Sequence, residues 1–312
     1  MRAFLFIAFC FCPVLLIAQE LPVYNEYHLN KTLINPAITG SEECALFRCT
    51  DRHQWTGIDG APQIQTLTAE YGISNKRVLR EFERRTHGIG ALVFRDKNGA
   101  NRNLGVQASY AYHFYVSRLY GIRLGLGAAF QYFQWSLSES GFIGDPDPTV
   151  TGGTQSYFAP DLSAGAFLYN TKWFAGLSAT RLLNFMAGSS PRTRNYFLIA
   201  GYLTGRRDDR IRFLPSAVIK LNDDLNRQID LNAKMLVDDR WWAGLSYRHN
   251  FDKLPGQPVS IIPMMGASFG NFFFTYALDI TPNRLQLHSY GTHEIMIGYK
   301  WCIDGYRCPV YR

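Results

Sequence analysis

The sequence predicts an all-β fold: a transmembrane, outer-membrane β-barrel of about fourteen antiparallel strands behind a short plug-like segment. Three observations predict it. Apolar residues alternate with small or polar ones over stretches of about ten residues or more, where aqueous sandwiches use strands of ~5–6. The connections alternate between short and long. Past the first apolar block, no run is continuously apolar for the ~20 residues a helical span needs.

The alternation is clearest in the middle of the chain. Leu104, Val106, Ala108, Tyr110, Tyr112 and Phe114 stand against Asn103, Gly105, Gln107, Ser109, Ala111 and His113. Ile122, Leu124, Leu126, Ala128, Phe130 and Tyr132 stand against Arg123, Gly125, Gly127, Ala129 and Gln131. Ile229 to Val237, Trp241 to Tyr247 and His293 to Trp301 repeat the pattern. Alternate side chains leave a strand on opposite faces, so the apolar set meets lipid and the small or polar set lines a lumen. Backbone groups in lipid need partners within the protein, which requires the strands to close. Aromatics near strand ends (Tyr110, Tyr112, Phe114; Tyr132, Phe133, Trp135; Trp241, Trp242; Tyr299, Trp301) suit interfacial girdles.

Taken in order, the strands fall near 44–52, 62–72, 87–96, 103–116, 120–137, 156–169, 172–184, 194–204, 211–222, 228–237, 240–250, 259–269, 272–281 and 291–301. With a periplasmic N-terminus, even-to-odd turns such as Asn170-Thr171 and Asp238-Asp239 are short. Odd-to-even loops such as Glu139 to Gln155 are generally longer. Residues 74–85 are the exception on the short side: Ser74 as a cap, with Val78 and Phe82 four apart, suits a short basic helix or a solvated turn.

Residues 1–18 read as a secretory signal peptide, with Arg2, an apolar block and a cut after Ala18. Residues 19–43 form the lead-in or luminal plug, 44–302 the barrel and 303–312 a periplasmic tail. In the lead-in, Pro36 holds Asn35 extended, and Gly40 frees the turn into the first strand. The formal charge of +7 suits an acidic partner or anionic lipid heads. Dispersed basic residues on an exported chain argue against nucleic acid. Beyond the signal lie Cys44, Cys49, Cys302 and Cys308. Export permits disulfides, and Cys302 with Cys308 is a candidate small loop, although three connectivities stay open.

Candidate chemistry is thin. Ser289, His293 and Glu294 offer the residue types of a hydrolase, but period-2 geometry sends His293 and Glu294 to opposite faces. Asp145-Pro146-Asp147-Pro148 lacks calcium-loop spacing, and no Cys/His spacing suits zinc. The reading is therefore of a protein that is not an enzyme, with no catalytic, cofactor or metal residues assigned. Arg52-His53-Gln54-Trp55, with Gly57 and then Gly60-Ala61-Pro62, reads as a structured outer hairpin with a partner-recognition rim at Trp55.

One set of residues carries a family resemblance. Its members are the Ala18-Gln19 signal end, Tyr24-Asn25-Glu26-Tyr27, Asn35-Pro36-Ala37, Gly40, Arg52-x-Gln54-Trp55-x-Gly57, Gly60-Ala61-Pro62, Leu104-Gly105-Val106 and Gly291-Thr292-His293-Glu294-Ile295. In order and spacing they resemble the PorP/SprF family of type IX secretion membrane proteins. The resemblance implies a barrel in the outer membrane of a Gram-negative bacterium, serving type IX secretion or the linked gliding apparatus. It implies as partners an exported surface protein with a C-terminal sorting domain and a periplasmic peptidoglycan-binding or secretion-machine protein, besides outer-membrane lipid. Cys302 to Arg312 runs past the family's usual end. The alternative is a transporter of hydrophobic compounds resembling the long-chain fatty-acid porins, whose N-terminal hatch also carries Asn-Pro-Ala.

Overall fold

A computed structural model describes residues 30–74, 85–137, 155–183, 193–206, 208–223, 227–251, 259–282 and 288–302. The signal segment, residues 75–84 of the 74–85 helix expectation, Asp145 to Pro148 and the tail from 303 lie outside them; Ser74, expected as its cap, is the last residue of a strand. Two single 3₁₀ turns, Lys31–Leu33 and Pro36–Ile38, precede fourteen strands. These are β1 (Ala45–His53), β2 (Gln63–Ser74), β3 (Thr86–Asn98), β4 (Asn101–Ser117), β5 (Ile122–Leu137), β6 (Gln155–Tyr169) and β7 (Trp173–Thr180). There follow β8 (Asn195–Tyr202), β9 (Ile211–Asn222), β10 (Arg227–Val237), β11 (Trp241–Asn250), β12 (Ser260–Phe269), β13 (Phe272–Asp279) and β14 (Thr292–Trp301).

Every strand pairs antiparallel with its sequence neighbours, and β1 with β14 closes the barrel. Each strand lies where the alternation places it. Leu126, Phe130, Leu231, Leu245, Ile295 and Ile297 face outward, as the apolar phase requires. Trp241, Phe269, Phe272 and Trp301 form an outward aromatic cluster at the end that carries both termini of the barrel. Phe133 departs from the expected girdle: it is buried inside, packed with Leu92 and Phe94. The loop asymmetry also has an exception, because β3 and β4 are joined at the loop end by only Gly99 and Ala100. At 17 and 16 residues, β4 and β5 exceed what an apolar band of ~25 Å needs at ~3.3 Å per residue. They therefore project past it.

The interior is divided. Against β6 to β10 it is apolar, built on Phe167, Tyr169, Phe174, Ile199, Leu214 and Leu236 with Ile34, Ala37 and Ile38 of the lead-in. Against β10 to β14 and β1 it carries buried Arg, Asp and Glu.

The cysteine pairing corrects the small-loop expectation. Cys302 bonds Cys44, not Cys308, across 258 residues of sequence. The physical reason is the register of closure: Ala45 pairs with Trp301, so the residues just outside that pair stand side by side, Cα atoms 4.5 Å apart. The bond staples the seam where a meander barrel would open first. Cys44→Ser is expected to cost about 2–4 kcal/mol, read as a lower urea midpoint in micelles. Peptide mapping of the unreduced protein should recover Cys44 bridged to Cys302.

Candidate functional site

The lead-in is an inner belt. Asn35 is extended (φ −141°, ψ 107°) ahead of Pro36, and its Oδ1 accepts from Ala37 N at 2.9 Å, capping the second 3₁₀ turn. Its Nδ2 donates to the carbonyls of Ala166 (3.1 Å) and Leu177 (3.2 Å), which face each other across β6 and β7. Ser178 Oγ donates to Ile34 O at 2.5 Å. His113 Nε2 donates to Thr39 O (2.9 Å), which leaves Nδ1 to accept from the Tyr169 hydroxyl (3.1 Å). Gly40 turns at φ +69°, and its N–H donates to Glu70 Oε2. Glu43 closes the run, held by Arg123 (2.6 Å) and Thr86 (3.0 Å).

Glycines in the wall make room for this belt. A Cβ on Gly165 would lie 2.1 Å from Asn35 Oδ1; on Gly127, 2.5 Å from Ala37 Cα; on Gly88, 1.8 Å from Thr39 O; on Gly72, 2.3 Å from Gly40 O. The inward glycines that read as small lumen residues are thus the seat of Asn35-Pro36-Ala37 and Gly40. The belt crosses the wall from β7 to β2, meeting the β6 and β7 glycines with the Asn35 side chain and those of β5, β3 and β2 with its backbone. Asn35→Asp is a discriminating change: the carboxylate keeps the cap but sets a charge against two carbonyls. It is expected to cost at least as much as Asn35→Ala, about 2–3 kcal/mol, measured by urea unfolding.

The seam holds the second constellation. Arg52 and Glu294 face each other in the β1–β14 register and form an ion pair at 3.0 Å, with 2% and 0% of their surfaces exposed. Arg52 also lies 3.6 Å from Asp279 on β13. Arg248 on β11 lies 3.8 Å from Asp279 and pairs with Asp230 on β10 at 3.0 Å. One network of five buried side chains therefore ties β10, β11, β13, β14 and β1. Arg52 is not a rim residue; it points into the lumen.

His293 leaves β14 on the other face. Its Nε2 donates to Tyr290 O at 3.2 Å, and its Nδ1 accepts from the Tyr276 hydroxyl at 2.7 Å. His293 and Glu294 stay on opposite faces, as the strand period requires. Among the described residues no group of three or more His, Cys, Asp or Glu side chains is placed to hold a metal ion.

The β1–β2 hairpin forms the rim. Gln54 N–H donates to Pro62 O at 2.9 Å. Trp55 takes φ +49°, and its N–H donates to Thr292 Oγ1 at 3.2 Å. Thr56 exchanges backbone hydrogen bonds with Gly291 and Tyr290. Gly57 turns at φ +100° where a Cβ would sit 3.0 Å from the Tyr290 ring, and Gly60 turns at φ +73°. A cavity of about 270 Å³ lies between Trp55, Asp279, Thr281 and Tyr290.

The structure thus joins Arg52 to Glu294, and Trp55 and Gly57 to the segment before His293; Asn35, Pro36, Ala37 and Gly40 lie apart in the belt. Sequence reasoning missed Glu43, Glu70, His113, Arg123, Asp230, Arg248 and Asp279. The available signal was phase: a charge at an inward position of a membrane strand needs a partner across the lumen.

A model of type IX secretion system membrane proteins, PorP/SprF, matches residues 16–299. The chain belongs to the PorP/SprF family. No curated protein matches it by sequence. Among solved structures, this PorP/SprF barrel is similar to the CymD monoaromatic hydrocarbon channel, at 10% identity and a TM-score of 0.51 over 89% of this chain and 94% of that one. A mutant of the TodX monoaromatic hydrocarbon channel gives 10% identity and a TM-score of 0.50 over 90% and 95%. An outer membrane protein of Acinetobacter baumannii gives 9% and 0.46 over 84% and 100%. At these identities the likeness concerns the fold. Family and fold together support an outer-membrane location for a type IX secretion barrel. The family match spans the belt, the hairpin rim and most of β14, so all three constellations belong to the PorP/SprF region of the chain.

Proposed function

We propose that this barrel works without catalysis, helping the type IX machinery to export, hold or anchor surface proteins, through cargo contacts at the loop end and a machinery partner at the terminal end. The observation that carries the reading is the family match along nearly the whole barrel, residues 16–299. Two features support it. The belt is seated in the wall by backbone contacts and buried hydrogen bonds, so the lumen is fixed scaffold on that side. At the loop end, the 82%-exposed Tyr290, beside the half-buried Trp55, presents aromatic surface of the kind that anchors protein interfaces.

The test is deletion of the gene with complementation. Surface proteins trapped in the periplasm, restored by the wild-type copy and by His293→Ala, are the expected result. Normal secretion with lost uptake of a hydrophobic compound would replace this reading with that of a transporter. For the rim, Trp55→Ala is expected to weaken retention of a co-purified exported protein at least tenfold, on the scale of a ~2 kcal/mol interface anchor. Unchanged recovery would remove Trp55 from the interface.

A further inference from the structure

On the outer wall, the apolar phase gives way to charge on one side of the barrel. Along β3 the outward residues Ile89, Ala91 and Val93 pass into Arg95 and Lys97, and β4 starts outward with Arg102 before Leu104 and Val106. Register sets Arg102 directly opposite Lys97, and Leu104 opposite Arg95. On the other flank, Gln63 and Gln65 of β2 stand opposite Lys97 and Arg95. The three bases and two amides are all exposed. At the same end, β8, β9 and β12 present Tyr196, Leu221 and Ile261 outward, so the basic patch belongs to one arc of the wall.

The protein does not neutralise this charge. Among the described residues, none of the three basic heads has an ion-pair partner. Of the nearby carboxylates, Asp51 lies 2.9 Å from His53, Asp96 leaves β3 on the inner face, and Asp59 sits on the β1–β2 loop outside any pair with the three. Like charges directly opposite on neighbouring strands repel, and a bound anion would relieve that repulsion between Lys97 and Arg102. Height says which anion. Arg95 stands eight residues along β3 from His87, whose ring meets Tyr110 and Tyr112 at the terminal end. That is ~26 Å of strand, less in height because strands tilt, against an apolar band of ~25 Å. Arg95 thus marks the far edge of the band, with Lys97 and Arg102 at head-group level. Directly below them Leu67, Val93 and Val106 form one exposed apolar row across β2, β3 and β4. Acyl chains under an anionic head fit both layers, whereas an acidic protein segment fits only the upper one.

We propose that this arc of the outer wall binds the phosphorylated sugar head of an outer-leaflet glycolipid, its phosphates on Arg95, Lys97 and Arg102 and its chains over Leu67, Val93 and Val106. Guanidinium forks match phosphate oxygens, and the Gln63 and Gln65 amides supply both donors and acceptors for sugar hydroxyls. The proposal rests on the reading above in one respect, that the loop end faces the cell surface. A lipid held there would fix the barrel's height and orientation beside the β1–β2 rim.

The test is titration of the full mature barrel in a non-ionic detergent, read by native mass spectrometry. The probes are a bis-phosphorylated glucosamine-disaccharide glycolipid, the same glycolipid with both phosphates removed, phosphatidylglycerol and inorganic phosphate. The phosphorylated glycolipid is expected to bind at least about tenfold more tightly than its dephosphorylated form, on the scale of a few basic residues at a membrane surface. Lys97→Gln combined with Arg102→Gln should bring that preference under about threefold and leave the dephosphorylated form unchanged. Both positions are exposed, and heat-modifiable gel mobility checks that the variant is folded. Equal binding of the two glycolipids to the wild-type barrel, or an undiminished preference in the folded variant, overturns the proposal. Phosphatidylglycerol binding as tightly overturns the sugar head, and full displacement by inorganic phosphate overturns the lipid. The wild-type comparison uses the isolated barrel, so a failure there is distinct from a failure of the secretion phenotype.

Discussion

Arg52→Ala is expected to destabilise the barrel by about 3–5 kcal/mol, the usual consequence of removing one partner from a buried ion pair. The expectation follows from what is left behind. Glu294 is fully buried, and Asp279 would keep Arg248 at 3.8 Å and the Thr281 hydroxyl, which donates to it at 3.0 Å. Water in a wide lumen would relieve such a charge, but these groups are packed side chain to side chain at the closing seam. Replacing both partners, Arg52→Met with Glu294→Met, should cost less than either single change, because no orphaned carboxylate remains from the pair. The measurement is a double-mutant cycle on urea midpoints in micelles. A loss below about 1 kcal/mol in Arg52→Ala would mean that the seam is solvated and the network is not structural.

Gly88→Ala is expected to have an effect of similar size from a single added methyl. Its Cβ would lie 1.8 Å from Thr39 O and 2.6 Å from Thr39 C, both backbone atoms of the belt. Overpacking in a core usually costs ~1–3 kcal/mol because side chains can move aside. Here the belt must move instead, and Gly40 beside it already needs its positive φ. Expulsion of the belt would also strand the carbonyls that Asn35 satisfies. Gly244→Ala is the control: it is the same chemical change on an inward glycine away from the belt, with its nearest contact at 3.3 Å. The expected pair of results is a large fall in urea midpoint with new protease cleavage within residues 30–43 for Gly88→Ala, and little change for Gly244→Ala. Equal behaviour would mean that the belt is not seated as described.

Most of the scaffold was legible. Strand β9 begins and ends where alternation put it, and the other strands lie within a few residues of expectation, because lipid on one side enforces the period-2 pattern. Asn35-Pro36-Ala37 was readable as a fixed bend from the local restriction that Pro36 imposes, and Gly40 as a turn. What lay on the inward face was not readable. There, phase says only that a residue points inward; it does not say which of the other strands it meets. Glycines that look like spacing for a lumen proved to be contact points for the belt. Arg52, sequence-adjacent to the rim, proved to be a partner of Glu294, 242 residues away.

The cysteines mark the same boundary. Sequence proximity favoured Cys302 with Cys308, while closure brought Cys44 beside Cys302. By itself the sequence determined the barrel, its strand number and its lipid face, because solvent acts on each strand separately and leaves its imprint locally. Only the tertiary structure decided the belt, the ion network and the staple. Each depends on which strands meet when the sheet closes, and that is a property of register around the whole ring.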